Sequence, residues 1–128
     1  MHANEKLVRD FYEAMGRGDG KALATAIGPD TQWIILGESE LAGTYTGPDE
    51  IFDFWKVVYE KTGGGLDLSL RDVLANDERA VALVDVTGSR DGNVLEERQL
   101  VEYEIRDSRF VSGTFVYERP WVYDAFWE

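Results

Sequence analysis

The chain has no cysteine, a single histidine and only three prolines among its 128 residues. Without cysteine there can be no disulfide, no thiolate nucleophile and no cysteine metal site, and the composition suits a reducing cytoplasm. His2 precedes the first predicted helix, so neither a histidine-centred triad nor an ordinary histidine-ligated metal site is available. No apolar run approaches the ~20 residues that span a bilayer. We expect a cytoplasmic protein without a membrane segment, metal or cofactor.

Positive charge is also scarce. The chain has 13 Lys and Arg against 25 Asp and Glu, a net charge of -12. This charge repels nucleic acid and anionic membranes, so we expect neither as a partner. Hydrophobic residues, in contrast, make up 44% of the chain and include four Trp, six Tyr and six Phe. They suffice for the core of a single domain spanning residues 1–128.

The hydrophobic spacing predicts helices first and strands afterwards. Apolar residues recur at helical spacing from Leu7 to Met15, in a helix that Asn4 could cap. The other predicted elements are a helix at 21–27, a turn at Pro29–Asp30, a strand at 31–36, a helix at about 48–61, and strands at 66–75, 79–90, 97–107 and 109–123. The last four strands are joined by short turns and predict an antiparallel meander. This order indicates an α+β domain in which a curved sheet wraps around the helices to form a cone.

Four segments in sequence carry a resemblance to a known superfamily. They are FYEAMGRGD (11–19), PDTQWIILG (29–37), LAGTYTGPDEIFDFW (41–55) and YDAFW (123–127). Their order and spacing resemble the nuclear transport factor 2-like superfamily, in particular its SnoaL-like and ketosteroid-isomerase-like branch, over nearly the whole chain. The resemblance implies an open-ended apolar cavity between a mostly antiparallel sheet and the helices, and a homodimer formed through the sheet.

The polar groups of ketosteroid isomerase are missing from this chain. That enzyme uses a carboxylate base and an oxyanion hole made of a tyrosine and a protonated aspartate. The matching motifs place these three positions on Phe11, Ile35 and Val101, with Tyr12 next to the first. A hydrocarbon side chain can neither accept a proton nor donate a hydrogen bond to an enolate. The resemblance therefore does not extend to steroid isomerisation by that mechanism.

The resemblance also implies which side chains line the cavity. Besides Phe11, Tyr12, Ile35 and Val101, we expect Met15, Trp33, Tyr45, Phe54, Trp55, Tyr59, Val84, Tyr103 and Phe115 to contact a ligand. Tyr103 and Tyr117, on adjacent strands, are the phenols best placed to donate a hydrogen bond into an apolar cavity. The alternative is that these aromatic residues pack the core.

Three polar residues are candidates for catalysis: Asp85, Tyr117 and Arg119. If Asp85 faced the cavity it could act as a general base. On the outer face it would pair with a cation, and its neighbours Val84 and Val86 favour this second position. Strand alternation would put Arg119 on the same face as Tyr117, where it could bind a carboxylate or polarise a carbonyl. An internal salt bridge is the other explanation for Arg119.

Two functions remain open at this point. The chain could bind a small hydrophobic carbonyl-bearing or aromatic molecule, or bind and convert it by isomerase, cyclase or dehydratase-type chemistry. It could instead be a non-catalytic domain for dimerisation or protein interaction, in which the pocket is only structural. What the cavity contains would separate the two.

Overall fold

Helices and strands follow one another in the expected order. The computed structural model describes all 128 residues. Its elements are α1 (Ala3–Arg17), α2 (Gly20–Ala26), β1 (Ile27–Ile35), β2 (Gly43–Thr46), α3 (Gly47–Lys61), β3 (Asp67–Ala75), β4 (Arg79–Arg90), β5 (Asn93–Arg106), β6 (Arg109–Tyr117) and α4 (Pro120–Phe126). The curved, open sheet and its helices confirm the predicted α+β fold. None of the four helices is long and apolar enough to cross a membrane.

The six strands form one sheet in the order β2-β1-β6-β5-β4-β3. Strands β3 to β6 pair antiparallel with their neighbours in sequence, which confirms the meander. Strand β1 pairs in parallel with β6, and β2 pairs antiparallel with β1. The parallel pair places β1 inside the sheet, so side chains from both ends of the chain share its inner face.

A cluster of aromatic rings fills part of the space between α1 and the sheet. The ring of Trp33 on β1 lies 5.7 to 6.0 Å, between centroids, from the rings of Phe11, Tyr103 and Phe110. Rings of this size each bury 150–250 Å², roughly, and prefer such edge-to-face and tilted contacts. Trp33 is almost completely buried as a result. The rings of this cluster belong to the hydrophobic core.

The prediction that Asn4 caps α1 is wrong. His2 is the cap, and its Nδ1 accepts a hydrogen bond of 3.0 Å from the backbone N–H of Asn4. The Asn4 side chain instead donates to the backbone oxygen of Asn76, at 2.8 Å, in the turn between β3 and β4. A tertiary contact therefore takes the side chain that the local sequence assigned to the cap.

The turn predicted at Pro29–Asp30 is also wrong, because β1 runs through both residues. Thr31 holds this segment against β6: its hydroxyl accepts from the N–H of Gly28 at 2.8 Å and donates to the backbone oxygen of Phe110. A register shift between Ile27 and Gln32 accommodates the proline, which has no N–H to donate. The segment is a bulged strand.

The last strand ends earlier than predicted. Strand β6 stops at Tyr117, and the residues from Pro120 onwards form α4. Proline suits the first turn of a helix. Tyr123, Phe126 and Trp127 then recur at helical spacing, and all three are buried. That spacing was the available signal against a strand continuing to residue 123.

Candidate functional site

An open cavity of about 620 Å³ lies between the inner face of the sheet and the helical layer. Most of its lining residues are hydrophobic, and they come from α1, α3 and the sheet as well as from the connecting loops. The apolar walls consist of Met15, Leu23, Ile35, Phe54, Trp55, Val58, Leu66, Leu68 and Phe115. Small-molecule sites typically have volumes of roughly 300–1,000 Å³ and largely apolar walls. This cavity has the size and lining of such a site.

The mouth of the cavity lies between two glycine-containing segments. The first is the end of α1, with Gly16, Arg17 and Gly18, and the second is the turn after α3, with Gly64 and Gly65. These residues, apart from the half-buried Gly65, are exposed. The guanidinium of Arg17 donates to two carboxylates nearby, on Glu13 and Asp19. The only cation at the cavity is therefore already paired.

Three polar side chains lie inside the cavity: Gln99 on β5, Tyr117 on β6 and Tyr123 on α4. The rings of Tyr117 and Tyr123 stack with their centroids 3.6 Å apart. Burial raises the pKa of Tyr117 well above the usual 10.0, and the Tyr123 phenol raises it further. Burial also raises the pKa of Tyr123. Both phenols are therefore neutral hydrogen-bond donors at neutral pH.

The lining contains no Asp, Glu, His or Lys side chain. A carboxylate or imidazole base, which proton abstraction most often uses, is thus not in contact with the cavity. Nowhere in the chain do three or more His, Cys, Asp or Glu side chains come together in a group that could hold a metal ion. The chemistry that the lining offers is hydrogen-bond donation and apolar contact.

The structure brings seven of the residues expected at the site to this cavity. They are Met15, Ile35, Phe54, Trp55, Tyr59, Phe115 and Tyr117. Tyr59 lies at the mouth and is 62% exposed, whereas Tyr117 is 6% exposed. Ile35 occupies the position of the isomerase base, so a hydrocarbon faces the cavity there.

Seven other expected residues do not line it and lie in or against the core: Phe11, Tyr12, Trp33, Tyr45, Val84, Val101 and Tyr103. The resemblance implied that they line the cavity, but they pack in or against the hydrophobic core instead. The hydroxyl of Tyr45 donates to the backbone oxygen of Leu41 at 2.7 Å. This hydrogen bond holds the Tyr45 side chain against the loop before β2.

The phenols of Tyr12 and Tyr103 are bonded to each other. Their hydroxyl oxygens are 2.8 Å apart, and both side chains are buried. Burial raises the pKa of each phenol beyond its usual range. The pair satisfies its own hydrogen bond within the core, which is the structural alternative considered for these tyrosines.

Asp85 lies on the outer face of the sheet. Its neighbours Val84 and Val86 are buried on the inner face, and its carboxylate forms an ion pair with Arg71 on β3. Of the two positions considered for this residue, the structure selects the outer one. A role for Asp85 as a base inside the cavity is not supported by this geometry.

Arg119 also lies outside the cavity, because the chain leaves the sheet after Tyr117. Its Nη2 donates to the backbone oxygen of Glu96 at 2.6 Å, and its Nε is 3.7 Å from Oε2 of Glu97. The Glu97 side chain is only 1% exposed. The internal salt bridge is therefore the arrangement that forms.

Gln99 and Tyr123 line the cavity but were missed in the sequence. For Gln99 a signal existed, since the alternation that places Val101 and Tyr103 on the inner face of β5 places Gln99 there too. Tyr123 had no such signal once the last strand was extended through it. Its position depends on α4.

Solved structures with the same fold include Bal32a, from a soil-derived mobile gene cassette. It is 28% identical, with a TM-score of 0.93, and the alignment covers 98% of this chain and 96% of that one. A protein from Jannaschia that carries the name SnoaL-like polyketide cyclase is 13% identical, with a TM-score of 0.76 over 98% of this chain and 95% of its own. The likeness to Bal32a extends over nearly the whole chain, whereas the likeness to the Jannaschia protein shows a shared fold alone.

The SnoaL-like domain family matches residues 8–113, and the protein belongs to that family. An uncharacterised protein of Mycobacterium tuberculosis is 29% identical over 126 residues, which span 98% of this chain and 96% of the relative. The family predicted from the four sequence segments is thereby confirmed.

Proposed function

We propose that this protein binds a small hydrophobic molecule, carbonyl-bearing or aromatic, in the cavity beneath the sheet. The observation that carries the proposal is the cavity itself: about 620 Å³, open at one side, with aromatic walls and three buried polar side chains. Apolar surface removed from water contributes roughly 25 cal/mol per Å², so a flat fused-ring molecule gains affinity from such walls without any charged contact.

If the bound molecule is converted, the lining favours chemistry that depends on hydrogen-bond donation. The buried phenols of Tyr117 and Tyr123 could stabilise negative charge on a carbonyl oxygen, as donors in an oxyanion hole do. Cyclisation, isomerisation or dehydration would each benefit from this. The Jannaschia protein shares the fold alone, so the proposal of a reaction rests on the lining and not on that likeness.

Binding can be tested with fluorene, a flat hydrocarbon, and a variant that fills the cavity. Val58 lines the cavity from α3, whereas its neighbour Val57 is 37% exposed and does not line it. We expect Val58→Trp to abolish fluorene binding in equilibrium dialysis and Val57→Trp to leave it unchanged. Both variants add the same indole to the same helix, so a general effect of the substitution would appear in both. Absence of fluorene binding to the unsubstituted protein, or equal loss in both variants, would contradict the proposal.

A homodimer formed through the outer face of the sheet is a second proposal, supported by a separate observation. Leu83, Leu100 and Val116 are cross-strand partners and form an apolar row across β4, β5 and β6. Leu100 and Val116 are 38% and 42% exposed. A row of this kind on a sheet face suits contact with a second copy. If dimerisation were the only role, the cavity would be structural.

The dimer is tested by sedimentation equilibrium over a range of concentrations. We expect a dimer that Leu100→Glu converts to a monomer, because the substitution places a charge in the apolar row. Val57→Glu introduces the same charge on α3, in the helical layer, and should leave the dimer intact. A monomer at every concentration would refute this second proposal and leave the first untouched.

A further inference from the structure

Two polar side chains meet on the inner face of the sheet at the cavity. Gln99 on β5 and Tyr117 on β6 are direct cross-strand partners, and both line the cavity. Side chains of directly opposed residues in an antiparallel pair lie on the same face, with Cβ atoms roughly 4.5–5.5 Å apart. An amide and a phenol are therefore held side by side by the strand register.

Both side chains are almost completely buried. Gln99 is 7% exposed and Tyr117 6% exposed. The Gln99 amide forms no hydrogen bond to a protein group. Its polar atoms are nevertheless not sealed off, because none of them is among the fully enclosed atoms that lack a partner. The Tyr117 and Tyr123 hydroxyls lie close enough to interact with each other, so a ligand oxygen would accept the Tyr117 proton in place of Tyr123. Buried polar groups normally have partners, so the unpartnered Gln99 amide beside this phenol suggests a ligand group.

The charges around the pair favour a neutral partner. No unpaired cation lines the cavity, since Arg17 is engaged by two carboxylates. The carboxylate of Asp124 is close enough to both stacked tyrosines to raise their pKa values. Burying an anionic ligand beside this carboxylate would be costly.

We infer that Gln99 and Tyr117 form a two-donor site for the carbonyl oxygen of a neutral ligand. The inference rests on the proposed function, since it requires that the cavity be occupied. The primary amide of Gln99 has two N–H donors and the phenol of Tyr117 has one O–H donor. A carbonyl oxygen has two lone pairs and can accept one hydrogen bond from each. The site would select ketones, esters or amides over hydrocarbons of the same shape, and over carboxylates.

The test compares fluorene with fluorenone, which has the same ring system and adds one carbonyl oxygen. We expect fluorenone to bind about tenfold more tightly, a difference of about 1.4 kcal/mol that two hydrogen bonds to its carbonyl oxygen can supply. In the double variant Gln99→Leu and Tyr117→Phe, the ratio of fluorenone affinity to fluorene affinity should fall to about one. Tyr45→Phe removes a phenol that does not line the cavity and should preserve the preference.

Infrared spectroscopy of bound fluorenone provides a readout that a packing effect would not change. Hydrogen bonds to the carbonyl oxygen lower the carbonyl stretching frequency, so we expect a lowered frequency in the original protein and in Tyr45→Phe. The double variant should restore the frequency found in an apolar solvent. Fluorenone carboxylic acid, an anionic analogue, should bind more weakly than fluorenone.

The outcomes separate the two levels of the argument. If neither fluorene nor fluorenone binds, the proposed function fails and the donor site fails with it. If both bind equally well to the original protein, or if the double variant keeps the tenfold preference and the lowered frequency, the cavity is a binding site but Gln99 and Tyr117 are not its carbonyl donors. Tighter binding of the anionic analogue would also overturn the assignment.

Discussion

Replacing Arg119 by methionine should destabilise the protein, because it removes the partner of a buried carboxylate. Methionine keeps the length and apolar stem of the side chain but cannot donate to Glu96 or balance the charge of Glu97. With Nε and Oε2 3.7 Å apart, the attraction is about 4 kcal/mol at an effective dielectric constant of about 20. Arg119 is about half exposed, and solvent screening reduces the expected loss to about 2 kcal/mol.

A loss of this size is readily measured. Unfolding entropies near 2.1 cal/mol/K per residue imply that about 2 kcal/mol lowers the melting temperature of a chain this long by about 7 °C. Arg98→Met is a matched control, since Arg98 is also 3.7 Å from a carboxylate, that of Glu118, but both side chains are well exposed. We expect at most about 0.5 kcal/mol from the control. Urea denaturation would measure both variants.

A double-mutant cycle with Glu97→Gln separates the ion pair from other effects of the substitution. If the charges interact, the double variant should lose less stability than the sum of the two single variants. Fluorene affinity should be the same in Arg119→Met as in the original protein, because Arg119 does not line the cavity. Strict additivity, or a loss from Arg119→Met no larger than that from Arg98→Met, would refute the reasoning. A selective loss of ligand affinity would restore the interpretation of Arg119 as a ligand-binding residue.

Three further outcomes are expected. Asp85→Asn should change the free energy of unfolding by no more than about 1 kcal/mol in urea denaturation, because its ion pair with Arg71 is partly exposed to solvent on the outer face. It should leave fluorene binding intact, and a large loss of binding would contradict this. Tyr12→Phe should cost about 1–2 kcal/mol, because the Tyr103 hydroxyl would lose its buried partner, and Tyr12→Phe combined with Tyr103→Phe should cost less than the sum of the single changes. The folded-state pKa values of Tyr103 and Tyr117 are raised above 10.0, so an unfolded chain releases these protons first. The protonated phenols therefore contribute fully to the free energy of unfolding below about pH 10, and this contribution is lost as the pH rises above it. Absorbance of tyrosinate should accordingly increase for these residues only as the protein unfolds, and their titration in the folded state near pH 10 would refute the placement.

Much of the fold could be predicted from the sequence because it depends on local periodicity. Helical spacing in α1 and strand alternation in β4 and β5 each report which side of an element faces the core. Two of the errors arose where distant contacts overrode the local signal. Thr31 bonds to Phe110 across the sheet and keeps Pro29 within a strand, and Asn4 reaches Asn76 instead of capping its own helix.

The candidate site was only partly predictable, for a different physical reason. Periodicity assigns a residue to the inner or outer face but does not say how far along the cone it lies. Trp33 and Phe115 both face inwards, yet only Phe115 lines the cavity. The positions of neighbouring rings decide this, and those positions are set by packing between elements that are far apart in sequence.

The amino-acid sequence by itself determined the α+β order of elements, the acidic surface, the absence of thiol chemistry and the family to which the chain belongs. Only the tertiary structure decided which inward-facing residues surround a cavity and which fill the core, that Asp85 and Arg119 form ion pairs outside it, and that Gln99 comes to lie beside Tyr117. Composition is a sum over the whole chain, and periodicity depends on residues that are close in sequence. A cavity, in contrast, exists only where several distant elements fail to fill the space between them.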